Sequence, residues 1–230
     1  MDRRRLLGSV SIFSSLDEKD LDLLLQATTT KSLQPKEVLF RKGDAGNQLY
    51  GILSGSLKVM ATGSDGKDVM FTLMGPGEVI GEIPLLDGGE RSASAVAVEA
   101  TELLTLHRRE LIPFLENHPR AAIGLAGVLA ARVRRLSERT EDRQTMPLPG
   151  RIAKRLIALS ERYGKHPIVG GPVEVRLPQQ DLADLVGTSR ESVNKQLRAW
   201  ENQGIVEIGR GRVVLKRREA LEAVIAMYGL

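Results

Sequence analysis

Two short stretches carry side chains whose types and spacing could do chemistry. The first is GEIPLLDGGERSA, Gly81 to Ala93, where Glu82 and Arg91 stand nine positions apart across an Asp-Gly-Gly turn. By residue type alone it can be a solvated hairpin whose glycines supply positive φ. It can also be a loop folded round an anion. Pro84 fits the first turn of a short helix, which leaves the N–H groups of residues 81–83 facing outward toward negative charge. Arg91 then offers two donors to a phosphate, and Ser92 adds a hydroxyl. Glu82 would repel that phosphate, so beside it the carboxylate has to face a donor such as a ribose hydroxyl.

The second stretch is LPQQDLADLVGTSRESVNKQLRAWENQGIVEI. It predicts a helix from Gln179, a turn at Gly187-Thr188 and a second helix from Ser189 to near Gly204. Ala183, Leu185 or Val186, Val193 and Leu197 are the apolar positions by which two crossing helices hold each other, the form of a helix-turn-helix. Ser189 is placed to cap the second helix, with Ser192 in its first turn. In a DNA major groove that end presents Arg190 to the O6/N7 edge of guanine and Glu191 to the N4 amine of cytosine. Lys195, a turn later, reaches a further guanine or a phosphate. Ser189, Ser192 and Gln180 suit phosphate oxygens. IVEIGRGRVVL then predicts two short strands about a Gly-Arg-Gly turn, a wing that brings Arg210 and Arg212 near the backbone. The competing reading is a helical hairpin with a surface Arg-Glu pair. The wing, the order Gly-x-Ser-Arg-Glu-Ser-Val and the local charge favour DNA.

That charge is uneven. Residues 1–150 hold 19 Lys+Arg against 20 Asp+Glu, and residues 151–230 hold 14 against 9, so the basic excess sits in the last part of the chain. A carboxy-terminal part facing a polyanion is the expectation.

The elements that must position these groups follow from punctuation and period. From Leu33 to His107 glycines recur at short intervals between apolar runs such as VLF, LYGIL, LKVM, VMFTLM and SAVAV, which predicts an antiparallel sandwich or barrel. Asp17 to Ala27 reads as a short helix before it. After His107 the period becomes helical: Pro119 can open a helix that runs to Pro147. Ala122, Ala126, Leu129, Val133, Leu136 and Thr140 form a narrow heptad seam, with Arg132, Arg134, Arg135, Glu138 and Arg139 on the other face. So narrow a stripe suits a second copy of the same helix, hence a homodimer through residues 122–140. Pro147, Pro149 and Gly150 mark a boundary, and Arg151 to Tyr163 is an amphipathic helix.

Composition excludes several classes. Zero cysteines remove disulfides, thiolate metal sites and iron–sulfur clusters, and His107, His118 and His166 lack metal-ligand spacing. No general base stands beside a nucleophile or metal, so no catalytic residue is assigned and an enzyme is not expected. MDRRRLLGSVSIF is too broken by Gly8, Ser9 and Ser11 to be a secretory signal, and no apolar run reaches membrane-spanning length, which predicts a cytoplasmic protein.

VGTSRESVNKQLRAWENQGIVEI resembles the recognition helix and wing of the cAMP receptor protein / fumarate–nitrate regulator (Crp/Fnr) family of bacterial transcription factors. The likeness extends through FRKGDAGNQLYGILSGSLKV, GEIPLLDGGERSA and GRIAKRLIAL. It implies an α+β chain: a jelly-roll-like cyclic-nucleotide-binding β-roll over 1–118, a central dimerisation helix over 119–146 and a winged helix-turn-helix over 147–230. It implies further that Gly81, Glu82, Ile83, Arg91 and Ser92 form a phosphate-binding cassette for cAMP, with Phe71 and Thr72 on the wall nearer the base. The implied partners are a palindromic duplex operator and RNA polymerase, the latter at the loop around Lys165-His166-Pro167. One departure stands out: Leu136-Ser137 occupies the place of the family's adenine-reading Thr-Ser pair, and leucine cannot hydrogen-bond a base. Cyclic GMP, or a regulator that ignores the base or answers another ligand, is therefore kept as the alternative.

Overall fold

In the computed structural model, which describes Gly8, Phe13 and residues 16–63, 68–164 and 171–228, the chain divides into two compact units. The first runs to Arg134 without Asp68–Met70; those three residues belong with Arg135 onward to the second. Apart from Gly8 and Phe13, the stretch weighed as a secretory signal lies outside the described residues. So does the Lys165-His166-Pro167 loop.

The first unit is a roll of two four-stranded sheets. One has the order β1 (Thr28–Leu33), β8 (Thr101–His107), β3 (Gln48–Ser54), β6 (Val79–Ile80). The other runs β2 (Val38–Phe40), β7 (Ser94–Ala97), β4 (Leu57–Thr62), β5 (Asp68–Met74). β3 is buried on both faces, and strand alternation explains why. Tyr50 and Ile52 point into the roll with Leu33, Leu57 and Ala95, whereas Leu49 and Leu53 point out to a second cluster with Leu24, Leu111 and Leu125. That outer cluster is roofed by helices α1 (Glu18–Gln26), α3 (Arg108–Asn117) and the start of α4 (Pro119–Thr145). The short α2 (Ile83–Asp87) adds the fully buried Leu85. Asp17 caps α1 as its type suggests, its Oδ1 accepting from the Asp20 N–H at 2.9 Å.

α4 packs through Ala121 and Leu125, but Ile123 between them, and Val133 and Leu136 further along, face outward at 71%, 63% and 53% exposure. α3 has no counterpart in the sequence reading because Pro113 lies inside it.

The second unit continues with α5 (Leu148–Tyr163), β9 (Val173–Val175), α6 (Gln179–Val186), α7 (Arg190–Asn202), β10 (Val206–Gly209), β11 (Arg212–Leu215) and α8 (Arg218–Ala226). α5 starts three residues before the expected Arg151. Pro149 sits in its first turn, where a missing N–H goes unnoticed, so the prolines open a helix instead of lengthening a linker. The wing hairpin pairs Val206 with Leu215 through Gly209 with Arg212, and β9 joins β11 to give a three-stranded sheet. Among the described residues no helix is long and apolar enough to cross a membrane, and no group of three or more His, Asp or Glu is placed to hold a metal ion.

His118, between α3 and α4, stacks on Phe114 at 4.0 Å and reaches Asp20 of α1 at 3.0 Å. The Phe114 carbonyl, and after it Asp20, hold the imidazolium above its ordinary range against partial burial. The stabilisation is therefore complete below the free histidine value of about 6.5 and is lost as pH rises through the raised folded value. Thermal melts at about pH 5.5 and 8 are expected to show a fall of about 1 kcal/mol or less on the alkaline side, which Asp20→Asn reduces in part, leaving the share due to the Phe114 carbonyl.

Candidate functional site

β6 delivers the chain to Gly81, whose φ of +88° belongs to glycine. A Cβ there would lie 2.4 Å from Arg91 Nη1 and 2.9 Å from the Gln48 carbonyl, so the close approach also excludes a side chain. Glu82 precedes α2, Pro84 stands in that helix's first turn, and Gly88 closes it with its N–H on the Pro84 carbonyl at 3.0 Å. The return strand is pinned at Arg91, whose N–H meets the Asp44 carbonyl at 2.9 Å.

Arg91 is 4% exposed. Nη1 donates to the Gly81 carbonyl and Nη2 to the Gln48 carbonyl, both at 2.9 Å. Its carbon lies 4.3 Å from the centre of the Phe40 ring and 5.7 Å from that of Tyr50, two rings that stack on each other. Burial lowers the Arg91 pKa, while Tyr50, Glu82 and Asp44 oppose that shift. Burial likewise raises the Tyr50 phenol, which donates to Gln48 Oε1 at 2.7 Å.

Glu82 is more deeply buried, at 1% exposure. Its Oε1 accepts from Arg132 Nη1 on α4, and Arg132 Nη2 donates to the Val79 carbonyl. Two buried polar atoms then have no partner among the described residues: Glu82 Oε2, an acceptor, and Arg91 Nε, a donor. Such atoms are costly unless something satisfies them. A sugar phosphate carries the hydroxyl that the first needs and the anionic oxygen that the second needs, so the residues present fit a cyclic nucleotide.

Gly81, Glu82 and Arg91 are thus drawn together, and Ile83 and Ser92 stand exposed beside them. Phe71 and Thr72 lie on β5 in the other sheet, Phe71 at 39% exposure and Thr72 with its hydroxyl on the Leu73 carbonyl at 3.0 Å. Leu136 and Ser137 are exposed on the part of α4 that belongs to the second unit. Three contributors were missed. Arg132 reads in sequence as one of several solvent-facing arginines, and Phe40 and Tyr50 read as strand apolars. The available signal was the carboxylate itself, since a buried Glu82 requires a cation.

In the second unit, Gly187 takes φ +70° at the helix-turn-helix corner and packs against the Arg143 guanidinium. Ser189 caps α7, its Oγ accepting from the Ser192 N–H at 3.2 Å and lying 2.9 Å from Ser192 Oγ. Arg190, Glu191 and Lys195 are exposed over the first turns, while Val193, Leu197 and the unanticipated Trp200 are buried beneath. Of Leu185 or Val186, Val186 is the buried one. Gln180 is held along its own helix, its Nε2 donating to Asp184 Oδ1 at 2.8 Å. Arg210 is exposed at the wing tip, but Arg212 donates to Glu174 Oε2 on β9 at 2.7 Å. Glu174 also receives Arg176 at 3.0 Å, and Arg176 first, then Arg212, keep its pKa low. Arg212 is thus paired within the wing's own sheet while its side chain stays 47% exposed.

The model for the cyclic nucleotide-binding domain matches residues 30–118, and that for the Crp-like helix-turn-helix domain matches residues 150–224. Over 223 residues the chain is 32% identical to a CRP-like cAMP-activated global transcriptional regulator of Mycobacterium tuberculosis, covering 94% of this chain and 96% of the relative. It is 35% identical over 213 residues to the cyclic AMP receptor protein of Thermus thermophilus, covering 93% and 95%. The crystal structure of a CRP/FNR-family transcriptional regulator, also from Thermus thermophilus, aligns with a TM-score of 0.69 at 28% identity, covering 87% of this chain and all of that one.

Arg132→Ala strands a buried carboxylate and is expected to lower the stability of the first unit by about 3–5 kcal/mol. Adding Glu82→Gln in that background is expected to recover most of the loss. A double-mutant cycle by urea denaturation measures both.

Proposed function

The chain belongs to the Crp/Fnr family of transcription regulators, with a cyclic nucleotide-binding domain and a DNA-binding helix-turn-helix, and from that premise we propose that it is a homodimer switched by cAMP. The observation that supports the ligand most directly is the pairing of a buried acceptor, Glu82 Oε2, with a buried donor, Arg91 Nε, on one short loop. Glu82 takes the ribose 2′-hydroxyl; Arg91, with Ser92 and the backbone at Gly81 and Ile83, takes the cyclic phosphate. Phe71 and Thr72 line the base side. The names of the two relatives favour adenine. Leu136, which offers no hydrogen bond, favours the second reading, in which cGMP serves equally or the base is not read.

The outward apolar edge of α4 supports pairing with a second copy along Leu129, Val133 and Leu136. The domain limits 1–118, 119–146 and 147–230 belong to this proposal. In the dimer two α7 helices must stand about 34 Å apart to enter successive major grooves of a palindromic operator. Arg190, Glu191 and Lys195 read bases, while Ser189, Ser192, Gln180, Arg210 and Arg212 meet phosphates, Arg212 from beside its carboxylate partner Glu174 in the wing. Nucleotide at Glu82 acts on the same carboxylate that holds Arg132 of α4. It can favour one arrangement of the readers only through its differential affinity for the two.

Titration of the chain with cAMP and with cGMP, each followed by binding to a duplex selected from a random pool, tests ligand and coupling together. Binding of neither nucleotide would leave the ligand-independent reading. Arg91→Ala is expected to weaken nucleotide binding about ten-fold or more, as for loss of a charge-assisted hydrogen bond of about 1.5–3 kcal/mol. Arg190→Ala is expected to cost about 1–3 kcal/mol on the selected duplex and to relax selectivity at one base pair, seen as unequal losses across a panel of single-base variants.

A further inference from the structure

The far end of the central helix reaches the helix-turn-helix. Arg143 lies in the last turn of α4, and its neighbours three and four positions away are Arg139, Thr140, Met146 and Pro147, so α4 offers it no carboxylate. Arg143 is exposed, and among the described residues it makes no hydrogen bond and no ion pair. What it meets instead is the corner between α6 and α7. A Cβ built on Gly187 would lie 3.0 Å from both Cζ and Nη2 of Arg143 and 3.2 Å from its Nε. At three nearly equal distances the guanidinium lies flat against that point, in room left by a glycine at φ +70°.

A guanidinium held by its face keeps its edge free, and its five N–H donors all lie in the plane. A cation here could also serve the carboxy end of α6, where the helix dipole is negative. That end is closed by its own backbone, however, with the Gly187 and Thr188 N–H groups both on the Ala183 carbonyl, and Arg143 donates to none of its carbonyls. Gly187 stands two residues before Ser189, about 8 Å of chain, and Ser189 caps the end of α7 that enters the major groove. Groups beside that end meet phosphate oxygens, which match the fork of an unspent guanidinium. Arg212, by contrast, already spends a donor on Glu174.

We propose that Arg143 is a DNA-backbone contact supplied by the central helix from outside the helix-turn-helix. It rests on the reading in which α7 lies in a major groove, and it adds affinity without adding sequence information. Because the donor belongs to α4, the position of that helix bears on operator affinity directly, with no change in the residues that read bases.

Fluorescence-anisotropy titration of the full chain, with cAMP present throughout, on the selected duplex and on an unrelated duplex tests this between about 50 and 200 mM sodium chloride. Arg143→Gln is expected to weaken both duplexes by the same factor and to lower the slope of log affinity against log salt by about 0.9 for each Arg143 engaged. The deficit of the variant then shrinks about three-fold per contact across that salt range. Arg143→Lys is expected to keep the slope, and Arg109→Gln, which removes an exposed charge of the first unit, to match the parent. The melting temperature of Arg143→Gln is expected to equal that of the parent. An unchanged salt slope in Arg143→Gln overturns the assignment, as does a loss confined to the selected duplex. A lowered melting temperature with the parent's slope would make Arg143 a cap for α6 instead. If the parent binds neither duplex, the groove placement of α7 fails together with this contact, an outcome distinct from a variant that matches a binding parent.

Discussion

An ionised carboxylate does not persist in a protein interior without a cation, and Glu82 meets that demand through Arg132, a residue fifty positions away on a different element. Much of the first unit's arrangement answers to this one pairing. It fixes where α4 must pass relative to the end of β6, because Arg132 also holds the Val79 carbonyl. It leaves one carboxylate oxygen, like the Nε of Arg91, without a partner among the described residues. A site made from two unmet needs is prepared for a ligand that carries both complements.

Arg91 illustrates a related economy of position. Its terminal nitrogens already hold the Gly81 and Gln48 carbonyls, and it lies near the stacked Phe40 and Tyr50 rings. The cation is thus part of the roll's own architecture before any ligand arrives.

Local signals were legible in the sequence and tertiary ones were not. Gly187, the Ser189 cap and the Arg210-Gly211 turn announce themselves because each is required by the backbone at that point. The roll's strands follow from glycine-bounded apolar runs, and the outward edge of α4 from its heptad spacing. Proline misled twice, in opposite directions: Pro149 opens a helix that had been expected to start at Arg151, and Pro113 sits within one not anticipated at all. The short carboxy-terminal α8 also went unseen. Arg132 and Arg212 could not be told from their exposed neighbours, since what distinguishes them is a carboxylate brought close only by folding, Glu82 for one and Glu174 for the other.

Trp200 is the single tryptophan of the chain, and it lies on the buried face of α7 at 3% exposure. Indole emission depends on the polarity and mobility of its surroundings. The protein's intrinsic tryptophan fluorescence therefore originates wholly at the buried face of α7, with no second indole to dilute it. The molecule carries its own optical probe of the second unit, whereas the roll holds a single tyrosine, Tyr50.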